Sequence, residues 1–167
     1  NFAAWQVMKA ASIAARFDLK ISILQPMYSL IKRQAEVEIL PMCASEGIAV
    51  AGYSPLGSGL LSGKYKRGET GRLSQNERYA ARYNDPQMYA AADALGALAE
   101  ELNTHPATLA VAWASRHPAT PIPIISARST DQLMPSLNAM HYAMDDALYE
   151  RLAALMPGPP PATDRLE

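Results

Sequence analysis

The sequence predicts an α/β chain built on parallel strands, and three observations predict it. Short apolar runs rich in Ile, Val and Ala alternate with longer stretches of helical period. The runs lead into turns of Gly, Pro or Ser. No internal repeat interrupts this alternation, and the strand–helix–strand order implies a parallel sheet joined by right-handed crossovers.

Taken in order, Asn1 can cap a helix through Phe17, with Trp5, Met8 and Ile13 as its expected core contacts. Ile21, Ile23 and Leu24 suit a strand, and Pro26 ends it, so the Gln25 amide stands at its carboxyl end. A helix from Ala35 to Glu46, with Val37, Leu40, Cys43 and Ala44 on one stripe, delivers the chain to a second strand. That strand is the run around Ile48 and Val50 between Gly47 and Gly52, read as covered on both faces by helices. Between Tyr65 and about Asn84 lies a polar stretch with Lys66, Arg67, Arg72, Arg78 and Arg82 and almost no aliphatic residue. It is too long for an ordinary connection and reads as a cationic lid.

Asp85-Pro86 opens a helix to Leu102 with Met88, Ala92, Leu95, Ala99 and Leu102 inward, and Pro106 opens another with Leu109, Ala112 and Trp113 inward and Pro118 closing it. The third strand is Ile122 to Ile125. It runs into a helix start at which Ser129 and Gln132 fit a capping box, while the same amides can receive an anion and Arg128 can add a fork of donors. Pro135 should kink or delay that helix. A last helix, capped by Asp145 with Leu148, Leu152 and Leu155 inward, gives way to a Pro-rich tail, residues 156–167, expected to be extended or disordered.

Ligand chemistry is expected where the second strand ends, because α/β folds bind ligands at strand carboxyl ends. The segment GYSPLGSGLLSGKY offers Tyr53, Ser54, Ser58, Ser62 and Lys64 among several glycines, an inventory suited to a phosphate-bearing ligand. Two known phosphate motifs do not fit. A P-loop needs Gly six residues before its Lys and Ser or Thr after it, whereas Ser58 and Tyr65 occupy those places. The pattern G-x-G-x-x-G fails because Ser62 follows Gly57 and Gly59 where its third glycine belongs.

Composition bounds the function without identifying it. With 49% hydrophobic residues, 19% charged and a net charge of −1, the chain needs a real core and gives no electrostatic reason to expect nucleic acid or an anionic membrane as partner. No apolar run approaches a membrane span. The single Cys43 reads as a buried thiol and suits a cytoplasmic protein. His105, His117 and His141 read as structural or solvated, and no cluster has metal-ligand spacing.

From Asn1 to about Leu155 the sequence resembles the aldo-keto reductases. The resemblance is carried by Asn1-Phe2, by QPMYSL at Gln25 to Leu30, by the GYSPLGSGLLSGKY loop, and by PIPIISARSTDQL at Pro121 to Leu133. It implies the second half of a (β/α)8 barrel. A whole barrel takes about 250 residues, so 167 residues beginning without Met are expected to be a fragment. The resemblance further implies that Asn1 and Gln25 hold the nicotinamide carboxamide and that Tyr53 stacks on its ring. Ser54, Leu56, Ser58 and Lys64 would meet the pyrophosphate, with Arg72 toward the adenosine side. Arg128, Ser129, Gln132 and Ser136 would surround the adenosine and any 2′-phosphate, with Arg128 favouring NADP over NAD. Pro135 and Ser136 stand where the family often has Glu and Asn.

The implied reaction passes hydride between the nicotinamide and a small carbonyl or alcohol substrate, with the Tyr, Lys, Asp and His that handle the proton expected upstream of Asn1. No catalytic residue is therefore expected in this chain. The family also includes potassium-channel beta subunits, so a non-enzymatic, partner-binding role is the alternative. Substrate and oligomeric state are left open.

Overall fold

The structure, a computed structural model, describes residues 1–163. Three strands, Ile23–Leu24 (β1), Ala49–Tyr53 (β2) and Ile122–Ile124 (β3), form one parallel sheet in that order. Ile23 pairs with Ala49 and Leu24 with Val50 on one side of β2; Ala51, Gly52 and Tyr53 pair with Ile122, Pro123 and Ile124 on the other. The helices are Ala4–Ala14 (α1), Ile39–Glu46 (α2), Arg72–Gln75 (α3), Glu77–Arg82 (α4), Pro86–Glu101 (α5), Pro106–Arg116 (α6), Thr130–Asn138 (α7) and Asp146–Ala153 (α8). This is part of a (β/α)8 barrel. Among the described residues no helix is long and apolar enough to cross a membrane.

Local chemistry explains most boundaries. Asp85 accepts from the Gln87 amide with Pro86 in the first turn of α5, and Asp145 accepts from the Leu148 amide at the start of α8. Gly47 ends α2 at φ 65°, a left-handed C-cap that costs a glycine little, and its amide donates to the Cys43 carbonyl. The core forms where α5 and α6 meet the sheet: Leu95, Leu109 and Trp113 are fully buried, as are Leu30, Leu40 and Tyr83.

Beside this core lies a cluster that is both aromatic and ionic. The Trp113 ring stacks on Tyr149 at 5.6 Å and meets Tyr28 at 5.5 Å, and the Arg33 guanidinium lies 5.3 Å from its centroid. Arg33 donates to both Glu36 carboxylate oxygens and, through Nη1, to the carbonyls of Ala153 and Met156 at the end of α8. The Tyr28 hydroxyl donates to Glu36 at 2.8 Å. Burial, reinforced by the Glu36 charge, pushes the Tyr28 phenol far above its ordinary pKa.

Several expectations need correction. In α1 the buried residues are Ala4 and Val7, whereas Trp5, Met8, Ile13 and the following Phe17 are exposed. Trp5 lies about 160° around the helix from Val7, so a helix that buries its small residues turns the large ones outward. Strand β2 is covered on one face only. Val50 and Gly52 are buried, while Ala49 is exposed and shares its face with exposed Ile23, Ile122 and Ile124. The Ala35–Glu46 helix is broken: a 3-10 turn at Gln34–Glu36 precedes α2, and Ala44 is exposed beside buried Leu40 and Cys43.

The polar stretch after Tyr65 is not a loop, since it contains α3 and α4 and is anchored by the fully buried Tyr83. Pro135 neither delays nor interrupts α7, which begins directly after Ser129. Its missing N–H frees only the carbonyl of exposed Asp131, and the Thr108 hydroxyl donates to the Pro135 carbonyl at 2.7 Å, tying α7 to α6. The capping box is half made. Ser129 Oγ accepts from the Gln132 amide, but Gln132 Oε1 accepts from Arg128 N, one residue before the box requires. Of the tail, residues 157–163 carry no helix or strand, and 164–167 lie outside the described residues.

Candidate functional site

Strand β2 ends at Tyr53 and the backbone at once departs from ordinary geometry. Ser54, Gly57, Ser58 and Gly59 take φ of 58°, 54°, 57° and 91°, the left-handed region that costs a serine about 1 kcal/mol or more. Tight turns offset part of that cost: the Gly57 amide donates to the Ser54 carbonyl and the Gly59 amide to Leu56, both at 2.9 Å. The result is a compact coil at the carboxyl end of β2 that points small polar groups into a cavity of about 560 Å³, within the range of small-molecule sites.

Three segments wall this cavity. The first is the coil itself, with Tyr53, Ser54, Leu56, Ser58 and Gly59. The second is the segment from Lys64 through α3 and α4, with Arg67, Arg72, Tyr79 and Arg82. The third runs from Ile124 into α7, with Arg128, Asp131, Gln132 and Pro135, and His105 and Ala107 at the start of α6 complete the lining. Each wall follows a strand end or opens a helix, so the sheet fixes their mutual positions.

The cavity is electropositive. Of its basic side chains only Arg67 is neutralised, by Glu69 at 2.8 Å. Among the described residues Lys64, Arg72, Arg82 and Arg128 form no ion pair. Arg72 and Arg82 lie 5.6 and 5.5 Å from the Tyr79 ring centroid, and Lys64 Nζ lies 4.9 Å from that of Tyr65. Cation–π contact orients such groups without cancelling their charge. Polar groups are left over as well. Ser58 Oγ is buried without a hydrogen bond of ordinary geometry, although it and Ser54 stand close enough to the Tyr83 phenol to oppose the burial that raises its pKa. Burial, then the nearby Arg67 charge, depresses the His105 pKa below 6.5, and its Nδ1 accepts from the Ala107 amide. His105 is therefore a neutral helix cap.

Of the residues singled out in the sequence, Tyr53, Ser54, Leu56, Ser58, Lys64, Arg72, Arg128 and Gln132 share this cavity. Asn1 is adjacent: its Nδ2 donates to the Tyr53 hydroxyl at 2.9 Å, and that hydroxyl stands 3.1 Å from Asn1 Oδ1. Gln25 is exposed directly after β1, and Ser129 is the cap of α7 beside Arg128. Ser136 is off the lining and buried within α7. Tyr79 and His105 were not singled out as site residues. Tyr79 sits in a charged stretch seven residues after Arg72 and three before Arg82, and only the fold of α3 and α4 brings the three together. Among the described residues no group of three or more His, Cys, Asp or Glu side chains is arranged to hold a metal ion.

A profile of the Aldo/keto reductase family matches residues 1–156. The chain belongs to that family. It is 32% identical over 160 residues to the uncharacterized oxidoreductase YrpG of Bacillus subtilis, covering 95% of this chain and 48% of that protein. A probable voltage-gated potassium channel subunit beta of rice is 31% identical over 147 residues, covering 84% of this chain and 45% of the relative. The NADH-specific methylglyoxal reductase of Escherichia coli is 29% identical over 129 residues, covering 77% and 40%. This aldo/keto reductase chain thus spans about half the length of the curated relatives it matches.

Proposed function

We propose that this chain is the dinucleotide-binding half of an NAD(P)H-dependent aldo-keto reductase that transfers hydride between the nicotinamide and a carbonyl or alcohol substrate. One observation carries the reading: a cavity at the carboxyl ends of β2 and β3 in which Lys64, Arg72, Arg82 and Arg128 line the wall without acidic partners. Cations that a fold gathers and leaves unneutralised favour an anionic ligand. The buried Ser58 hydroxyl, without a hydrogen bond of ordinary geometry, and the glycine-lined coil suit a phosphate that approaches the backbone closely.

A nicotinamide dinucleotide fits this donor set. Asn1, Gln25 and Tyr53 would hold its nicotinamide end, the Tyr53 ring being fixed by its two contacts with Asn1. Ser54, Leu56, Ser58 and Lys64 would take the pyrophosphate, with Arg72 toward the adenosine. Arg128, Ser129 and Gln132 would form the adenosine end, with Ser136 buried in the helix that follows them, and Arg128 would favour NADPH over NADH through a charge-assisted fork to the 2′-phosphate. The bound cofactor supplies hydride chemistry. The chain's own residues bind it, select a ring face and exclude water.

The proton that accompanies hydride transfer is assigned to residues outside this chain, so the 167 residues alone should not turn over. With NADPH and a panel of aldehydes, the intact protein should oxidise cofactor while the isolated chain remains at blank. Turnover by the isolated chain would overturn the assignment of the proton donor. A second reading draws on the likeness to channel beta subunits: an intact protein that binds NADPH yet reduces no aldehyde would favour a partner-binding role.

A further inference from the structure

We infer that Gly71 and Tyr65, neither of which lines the cavity, position the Lys64 ammonium inside it. The inference rests on the dinucleotide reading for the identity of the anion Lys64 meets.

Lys64 does not sweep freely as a surface lysine does. Its stem lies in a slot between two glycines, one on either side of it in sequence. A Cβ on Gly59 would stand 2.7 Å from Lys64 Cε and 3.1 Å from Nζ. A Cβ on Gly71 would collide with Lys64 Nζ and stand 2.8 Å from Cε and 2.7 Å from the Tyr65 hydroxyl. Gly59 also needs its φ of 91° for the coil, but Gly71 has extended backbone, which any residue adopts. The requirement for glycine at 71 is therefore the space its missing side chain leaves to Lys64.

Tyr65 forms the floor and the clasp of this slot. Its ring lies 4.9 Å below Lys64 Nζ. Its hydroxyl donates to the Ser58 carbonyl and accepts from the Leu73 amide, both at 3.1 Å, so one phenol links the coil after β2 to α3. Slot, floor and clasp leave the ammonium facing the cavity with no acid beside it. Holding a flexible cation in its bound position before the ligand arrives reduces the ordering cost of binding.

Space and stability separate at Gly71. The atoms a new Cβ would meet are chiefly the far end of a flexible lysine, which can move aside, so Gly71→Ala should fold while Lys64 loses its place. In the intact protein, NADPH and inorganic pyrophosphate are titrated against the parent, Gly71→Ala, Lys64→Ala and the double variant. Gly71→Ala should weaken both probes about tenfold, the order expected for losing one charge-assisted hydrogen bond. With Lys64 already removed it should cost nothing further, which is the non-additivity of two residues acting through one group. Tyr65→Phe, which deletes one oxygen and adds no atom, should show the same pattern and runs the cycle if Gly71→Ala does not fold. Losses that add, or variants that bind like the parent, overturn the positioning role while leaving the dinucleotide reading intact. A parent that binds neither probe overturns that reading itself.

Discussion

Among the described residues a guanidinium lies over an aromatic ring at two places: Arg33 over Trp113, and Arg72 with Arg82 over Tyr79. The distances are nearly equal, yet the surroundings differ. Arg33 is nearly saturated, with a bidentate carboxylate and two helix-end carbonyls taking four of its five N–H donors. Arg72 and Arg82 meet no acid among the described residues and open onto a cavity. Satisfied donors hold structure, since another ligand could only displace an existing partner. Unsatisfied ones retain their charge for something that is not yet there.

That contrast can be broken by substitution. At the saturated region Trp113→Ala removes a fully buried ring and should cost about 3–5 kcal/mol, followed by Glu36→Gln at about 3 kcal/mol, because it leaves a largely buried guanidinium without its countercharge. Denaturant unfolding reads both; the folded fraction should bind NADPH with parental affinity, and a specific loss of binding would erase the distinction. At the open region Arg72→Ala and Arg82→Ala should reverse the pattern. Each should change stability by no more than about 0.5 kcal/mol while weakening NADPH binding several-fold, most clearly at low salt. A large drop in the unfolding midpoint for either would mean that these arginines also serve the fold.

The smallest effect sharpens the comparison by pH. His117 borders the saturated cluster, its ring 5.8 Å from Tyr28, and His105 borders the cavity. Burial is the main cause that depresses both pKa values below 6.5. Each Nδ1 accepts a backbone N–H, from Ala119 and Ala107 respectively, a contact that the protonated ring loses. As pH falls through 6.5 toward the folded pKa, the unfolded chain takes up protons first, so stability should fall on the acid side of 6.5 and be flat above it. Thermal midpoints at pH 7.5 and 5.5 check this, and His117→Asn should flatten the profile. A midpoint that rises on acidification would contradict both directions.

What the sequence disclosed follows the same division. The coil after β2 was legible because its chemistry is contiguous: an apolar run, then glycines, serines and one lysine in order. Helices α5, α6 and α8 were legible because Asp85, Pro86, Pro106 and Asp145 punctuate long periodic stretches. The Arg33–Glu36–Trp113–Tyr149 cluster was not legible, because it joins three segments spread over more than a hundred residues and no local period marks it. Tyr79 was hidden although Arg72 and Arg82 are near it in sequence, because only the fold of α3 and α4 brings the three together. In α1 the helix was legible and its inward face was not, since Trp5, Met8 and Ile13 offer as good an apolar stripe as Ala4 and Val7 and only the neighbours decide between them.

The central claim is that the unneutralised cations around the coil bind a dinucleotide. Direct fluorescence titration of the intact protein with NADPH and with NADH tests it, using the parent, Lys64→Ala and Arg128→Ala. The account predicts saturable binding by the parent, a loss of about ten- to a hundredfold for both cofactors in Lys64→Ala, and a loss in Arg128→Ala that is greater for NADPH than for NADH. A parent that binds neither cofactor, or variants that bind both as the parent does, would contradict it.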